Sequence, residues 1–205
     1  EWCIPQVSAE FVAAMEDVLD LYAEPYDAQR PVVCFDETST QLLGETRPPV
    51  PAKPGRPQRC DYEYRRQGTR NLFLFCQPLQ GWRHVAITQQ RTREDFAHQM
   101  RWLVDEAYPT TPVVRVVLDN LNTHRPASLY QAFPPAEARR IAKRLAFHYT
   151  PKHGSWLNMA EIEWSVFSRR ILRRRIADES TLKCHLQALE RQRNDHHASI
   201  DWRFS

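Results

Sequence analysis

The sequence lacks the features by which several classes of protein are recognised. It contains no apolar segment long enough to span a bilayer and no recognisable signal peptide. Its five cysteines are scattered without a Cys-x-x-Cys pair, which argues against a zinc site and favours reduced thiols in a cytosolic protein. The formal net charge is only +3, so the overall charge alone does not indicate a nucleic-acid partner. We therefore expect a protein that has no membrane partner.

The composition is that of a globular chain. Its 205 residues are 42% hydrophobic, enough for one domain with a substantial core and a small appendage. The chain begins at Glu1 and its first methionine is Met15, which indicates a fragment or a processed chain.

Two short apolar runs each end in an acid. Residues 32–35 lead to Asp36, and the valine-rich residues 113–118 lead to Asp119. Such runs predict strands that are buried on both faces. If the strands are neighbours, the two carboxylates lie at one edge of the sheet and repel each other, a conflict that a divalent cation such as Mg²⁺ would remove. Alone, Asp119 could equally open a turn or cap the next helix.

The other patterns predict a mixed α/β sheet. Residues 71–76 and 82–88 read as a β-hairpin, and residues 145–149 as a fifth short strand. Helical spacing begins at Ser8 and at Thr92 or Arg93, and two shorter helices are predicted over residues 126–130 and 135–144. A last helix is predicted from Ser155 to about Arg173. Five strands interleaved with helices form one α/β domain.

The last helix offers two acids. Glu161 shares a helix side with Asn158 and Ser165, whereas Glu163 is about 200° away around the axis. Only one of the two can therefore point into a site, and Glu161 alone could still be an ordinary surface acid. We expect Glu163 to be exposed beside Arg170, so that its loss changes stability by only a few tenths of a kcal/mol.

A basic, proline-rich segment follows the first strand. Residues 47–59 contain no acid and predict an exposed, extended loop. A solvated linker is the ordinary interpretation. Beside metal-binding acids, the segment becomes a candidate for contacts with a phosphate backbone, through Arg47, Lys53 and Arg56.

Three blocks of sequence together resemble a known family. They are Cys-Phe-Asp36-Glu-Thr, Val-Leu-Asp119-Asn-Leu-Asn-Thr-His124 and Trp-Leu-Asn158-Met-Ala-Glu161-Ile-Glu-Trp. Their order resembles the signature blocks of DDE transposases, and more narrowly the bacterial insertion-sequence 630 group, relatives of the mariner elements. The resemblance spans about residues 31–170. It implies a ribonuclease-H-like fold, with a mixed five-stranded sheet flanked by helices.

The chain departs from the family pattern in two places. Asp119 and Glu161 are 42 positions apart, which is longer than in typical mariner relatives, and the predicted helices between them absorb the excess. Met159 stands where the family usually has proline after the asparagine.

The resemblance implies Mg²⁺-dependent DNA cleavage and strand transfer. Two Mg²⁺ ions, for which Mn²⁺ could substitute, would be held by Asp36, Asp119 and Glu161. The implied partners are the ends of a DNA element and its target, bound by a homodimer in the bacterial cytoplasm, near the nucleoid. A structure-specific nuclease of the same fold, or an inactive DNA-binding remnant, remains an alternative.

Further residues are assigned from the same resemblance. Asn120, His124 and Asn158 would support the metal ligands or contact phosphate, and His124 could equally be an ordinary, partly buried histidine. A solvated helix end would explain the basic run from Arg169 to Arg175 almost as well as DNA contacts. The DNA contacts that we predict beyond the proline-rich loop come from Lys152, His153, Arg169 and Arg170.

The order of elements predicts three parts. Residues 1–28 would be a lead-in helix, residues 29–175 the catalytic domain, and residues 176–205 a helical extension. The helix-turn-helix modules with which such transposases recognise element ends have no counterpart in this sequence.

Overall fold

One mixed sheet forms the centre of the protein. The structure is a computed structural model that describes residues 8–201. The strand order is β3-β2-β1-β4-β5, in which β1–β3 are antiparallel neighbours and β4 and β5 continue parallel to β1. This confirms the predicted five-stranded sheet. The strands are β1 (Val32–Glu45), β2 (Tyr64–Gln77), β3 (Trp82–Thr88), β4 (Val114–Leu118) and β5 (Leu145–Tyr149).

Helices cover both faces of the sheet and create two separate cores. One face packs against α1, α5 and α6, and the other against α2, α3 and α4. A short π-helical segment extends each of α2 and α5, over Leu103–Ala107 and Ser168–Leu172. The helices are α1 (Ala9–Ala23), α2 (Arg93–Trp102), α3 (Ala127–Ala132), α4 (Pro135–Ala142), α5 (Ala160–Phe167) and α6 (Glu179–Asp195).

The apolar runs form the central strands because successive side chains point alternately into the two cores. On β1, Cys34 packs in the core beneath α5, and Phe35 in the core beneath α2. All five residues of β4 are buried. Because Cys34 lies opposite Val117 in the parallel pair, Asp36 and Asp119 follow at the same level, two residues beyond.

The first two strands are much longer than predicted. We expected them to cover residues 31–36 and 71–76, but the β1–β2 pairing continues to Glu45 opposite Tyr64. The first six residues of β2 are exposed, so this part is a two-stranded ribbon that projects past the sheet. Its tip, residues 46–63, is the proline-rich segment and is mostly exposed, as predicted.

Of the five predicted helices, three were predicted to begin at a capping serine or threonine, and two of these three starts are confirmed. The Ser8 hydroxyl accepts the Phe11 amide at the start of α1, and Thr92 forms a reciprocal cap with Asp95 at the start of α2. The prediction that Ser155 begins the last helix was wrong. Residues 155–157 form a single 3₁₀ turn, Asn158 is extended, and α5 begins at Ala160.

Two expectations from composition concern membranes and thiols. No helix within residues 8–201 is long and apolar enough to cross a membrane. Cys34, Cys60, Cys76 and Cys184 are all free thiols, and Cys3 lies outside the described residues. The boundaries of the three predicted parts stay a prediction, although Leu182 and Leu186 of α6 pack in the same core as α5.

Candidate active site

The predicted acids lie on two neighbouring parallel strands and on the helix beside them. Asp119 directly follows β4, as predicted, and is about a third exposed. The prediction that Asp36 ends the first strand was wrong, because β1 continues past Asp36 to Glu45 by pairing with β2. Glu161 is exposed in the first turn of α5. Asp36 and Glu161 line one groove of about 640 Å³, together with hydroxyl side chains from β1 and basic residues beyond α5. The groove's basic residues are Arg173, Arg174 and Arg175.

The environment of Asp36 disfavours its negative charge. Burial, reinforced by the charges of Glu37, Glu161 and Asp119, raises the pKa of Asp36 from 3.8 to about 7. A hydrogen bond from the Glu37 amide only partly opposes this effect. Within residues 8–201, no arginine, lysine or histidine forms an ion pair with Asp36, so a bound cation would relieve the conflict.

His124 is buried and joins two carboxylates. Its Nδ1 lies 2.6 Å from Asp119 Oδ1, and its Nε2 lies 2.8 Å from Glu37 Oε2. Burial lowers the pKa of His124, but its contacts with Asp119 and Glu37 outweigh that effect and raise the pKa to about 9. At neutral pH the ring therefore carries a proton on each nitrogen and can face a carboxylate on each side. His124 therefore contacts Asp119 and is fully buried rather than partly buried, and its role in supporting that acid stays a prediction.

Asn120 and Asn158 bind the backbone around the site. Asn158 is buried, donates to the carbonyl of Phe35 and accepts the Ala160 amide, so it ties β1 to the start of α5 immediately before Asp36. Asn120 donates to the carbonyl of Thr150 and so links the ends of β4 and β5. Both side chains therefore fix the elements that carry the acids.

The expectation for Glu163 was wrong. Its side chain is completely buried rather than exposed, and it contacts Arg83 and Arg193 instead of Arg170. Arg83 Nε lies 3.0 Å from Glu163 Oε1, and Arg193 Nη2 donates to Oε2 at 2.8 Å. Glu163 thus joins α5 to β3, through Arg83, and to α6, through Arg193. It does not line the groove.

The structure separates the predicted DNA-binding residues into three groups. Arg47, Lys53 and Arg56 are exposed on the ribbon tip, and Arg47 lies 3.4 Å from Asp61. Lys152 and His153 are exposed in the turn between β5 and α5, where His153 has a φ of 65°. Arg169 and Arg170 are exposed after α5, outside the residues that line the groove.

Two contributions to the site were not among the residues predicted for it. Glu37 follows Asp36 and therefore points to the opposite face of the sheet, toward α2 and α3, where it meets His124. The alternation of side chains along the strand after Phe35 indicates this orientation. Arg173 and Arg174 line the groove and belong to the basic run from Arg169 to Arg175, of which only Arg169 and Arg170 were predicted individually to contact DNA.

The donor set suits a hard divalent cation. Mg²⁺ and Mn²⁺ prefer carboxylate oxygens, and Asp36, Asp119 and Glu161 supply them from neighbouring elements. Asp119 Oδ1 is engaged with His124, which leaves the second oxygen available. Within residues 8–201, no three His, Cys, Asp or Glu side chains already enclose a metal site. Binding would therefore require the acidic side chains to turn toward one another.

A family model matches most of the chain. The model of the DDE superfamily endonucleases matches residues 31–183, which include Asp36, Asp119 and α5. The chain therefore belongs to the DDE superfamily endonucleases. No curated protein matches the chain significantly.

Solved structures share the same fold. The chain is similar to the Mos1 mariner paired-end complex with Mn (TM-score 0.64, 13% identity) and to the Mos1 transposase paired-end complex with left transposon end (0.65, 13%). It is also similar to the Mos1 strand transfer complex (0.64, 11%). In each case 97% of this chain is covered, but only 59–60% of the Mos1 chain. At these identities the similarity shows the ribonuclease-H-like fold, and the chain spans about three fifths of its solved relatives.

Proposed function

We propose that the chain is the catalytic domain of a DNA transposase of the insertion-sequence 630 group. One observation carries the proposal: Asp36 on β1 and Asp119 just beyond β4 lie at the same level of two adjacent parallel strands, and Glu161 lines the same groove as Asp36. The proposed reaction is metal-dependent DNA cleavage at element ends, followed by strand transfer. The similar Mos1 structures, which are paired-end and strand transfer complexes, support this choice.

Each residue has a proposed role. Asp36, Asp119 and Glu161 would hold two Mg²⁺ ions, or Mn²⁺ in their place, which when bound would supply Lewis-acid activation of the nucleophile and charge neutralisation. Asn120, His124 and Asn158 would keep those acids in place. Positioning and electrostatics carry most of the catalysis of phosphodiester chemistry, so rigid support for the acids matters.

The proposed DNA path begins at the acids and continues along the groove. Arg173 and Arg174 line the far part of the groove and would contact backbone phosphates. The turn with Lys152 and His153, the ribbon tip with Arg47, Lys53 and Arg56, and the helix end with Arg169 and Arg170 would extend the contact. Two copies would assemble on DNA, since transposition joins two ends, and they would act in the bacterial cytoplasm at the nucleoid.

The test is nicking and strand transfer by the purified chain. We expect the wild type to nick supercoiled DNA with Mg²⁺ or Mn²⁺, and to join a DNA that carries a free 3′-hydroxyl to a target. Asp36→Asn and Asp119→Asn should each abolish both activities, because each removes a charged ligand without changing side-chain size.

The matched control is Asp20→Asn, which removes an exposed carboxylate from α1. It should leave both activities unchanged. Nicking without joining would identify a nuclease instead of a transposase. Absence of metal-dependent nicking by the wild type would indicate an inactive remnant, and a folded Asp36→Asn variant with full activity would refute the assignment of the site.

A further inference from the structure

A chain of three side chains connects the two strands that carry the acids. His124 contacts Asp119, just beyond β4, with one ring nitrogen, and Glu37, on β1, with the other. Glu37 directly follows Asp36 in the sequence but points to the opposite face of the sheet. The three side chains therefore connect the end of β4 to β1 next to the proposed metal site.

Burial makes this connection rigid. The exposed fractions of the His124 and Glu37 side chains are only 1% and 4%. The imidazole packs edge-on against Phe35, with ring centroids 5.3 Å apart. It also packs against the tilted ring of Phe96, with centroids 4.9 Å apart. The carbonyl of His124 accepts a hydrogen bond from the Tyr149 hydroxyl, which fixes the backbone as well.

Within the described residues, the contact with His124 is the feature that accounts for the burial of Glu37. Its Oε2 atom is buried and accepts no hydrogen bond in residues 8–201, and the polar group beside it is His124 Nε2, in an ion pair 2.8 Å long. A buried carboxylate is costly unless it is paired. A ring that is held at one nitrogen only could turn about its side-chain bond, whereas a ring held at both nitrogens presents Nδ1 to Asp119 in one orientation.

We infer that Glu37 is a positioning residue that acts through His124 to hold the Asp119 carboxylate level with Asp36. His124 occupies Oδ1 of Asp119, and the other oxygen stays available to a metal ion. This inference rests on the proposed function, because it assumes that Asp119 is a metal ligand. Groups that orient metal ligands in this way typically change metal affinity by 10–100-fold when they are removed.

The experiment measures Mn²⁺ binding by the full 205-residue chain, by calorimetric titration or from the electron paramagnetic resonance signal of free Mn²⁺. Glu37→Gln and His124→Ala should each weaken Mn²⁺ binding by about 10–100-fold. Because both act along one chain of contacts, Glu37→Gln should have no further effect in the His124→Ala background. His124→Asn, whose amide can replace Nδ1 as donor to Asp119, should recover part of the lost affinity.

The controls separate positioning from loss of folding. Glu16→Gln removes an exposed carboxylate from α1 and should bind Mn²⁺ like the wild type. Thermal unfolding identifies variants that do not fold; if Glu37→Gln is one of them, Glu37→Asp, which keeps the charge but shortens the side chain, replaces it and should also weaken binding.

The outcomes distinguish the two proposals. If the wild type binds no Mn²⁺, the proposed function fails. If the wild type binds and folded Glu37 variants bind equally well, only the positioning role fails. If Glu37→Gln weakens binding further in the His124→Ala background, Glu37 acts independently of His124 and the inference is overturned.

Discussion

At the scale of single residues, Asp36 makes the stability of the protein depend on pH. Its pKa is raised by burial and by neighbouring carboxylates to about 7. Between the ordinary value of 3.8 and about 7, the folded state retains a proton that the unfolded state has lost. The free energy of unfolding therefore falls as the pH rises through this range, by about 1.4 kcal/mol for each pH unit, and levels off above it.

The prediction is that Asp36→Asn stabilises the protein in the presence of EDTA, and more at pH 8 than at pH 5. Asparagine is uncharged in both states, so the variant escapes the cost of ionising Asp36. Each kcal/mol should shift the Tm by about 2–4 °C for a chain of this size. Differential scanning calorimetry at the two pH values measures the shift.

One further measurement completes the experiment on Asp36. Adding Mg²⁺ at pH 8 should raise the Tm of the wild type more than that of Asp36→Asn, because a bound ion stabilises only the state that binds it. A Tm difference between Asp36→Asn and wild type that is the same at both pH values would show that Asp36 is ionised normally.

At the scale of elements, the apolar patterns located the sheet but not its full extent. Apolar runs meet a core on both faces, so the inner parts of β1, β2 and β4 were predictable. The outer part of β2 is exposed, and the outer part of β1 is only partly buried, with Leu42 in the core. These outer parts are held largely by pairing with each other, a contact that hydrophobic periodicity does not predict.

Local sequence patterns also predicted some parts of the site and not others. That Asp36 and Asp119 lie close together on neighbouring strands followed from two apolar runs that each lead to an acid, and the angle between Glu161 and Glu163 followed from helix geometry. The helix wheel did not reveal that β3 and α6 place Arg83 and Arg193 beside Glu163. Burial of a charged side chain depends on partners that are distant in sequence, so one helix considered alone predicts an exposed acid.

The two glutamates of α5 should therefore respond oppositely to the same substitution. Glu161→Gln should eliminate metal-dependent cleavage and change stability by less than about 0.5 kcal/mol, because the side chain is exposed. Glu163→Gln should destabilise the protein by about 3–5 kcal/mol, because it leaves buried Arg83 without its anionic partner. Urea unfolding measures the stability of each variant.

Cleavage assays on the same two variants separate the roles. At a temperature where Glu163→Gln is folded by circular dichroism, it should still cleave DNA. An inactive, folded Glu163→Gln beside an active Glu161→Gln would assign the third metal ligand to Glu163 and contradict the orientation of α5.

At the scale of the whole molecule, the location of the basic side chains is more informative than the net charge. A net charge of +3 is small, yet basic side chains are concentrated on the ribbon tip, in the turn before α5 and beyond α5. Several of them are already engaged. Arg175 bonds to Glu45 and to the carbonyls of Asp61, Tyr62 and Glu63, so it fixes the base of the ribbon tip rather than facing solvent freely.

The last prediction is that the chain binds duplex DNA weakly, without sequence preference and with strong dependence on salt. Contacts to phosphates carry no sequence information, and no helix-turn-helix is recognisable in the sequence. Fluorescence anisotropy at several salt concentrations should give a linear decrease of log affinity with log salt. Each lost phosphate contact should reduce that slope by about 0.9. The double variant Arg173→Gln/Arg174→Gln tests the groove, and Lys53→Gln/Arg56→Gln tests the ribbon tip. Both should reduce the slope, whereas Lys183→Gln on α6 should not.

Tight binding to one sequence that is insensitive to salt would contradict the prediction. An unchanged slope for the Arg173/Arg174 variant would exclude the groove as the path of the DNA, because those two guanidinium groups are its proposed phosphate contacts.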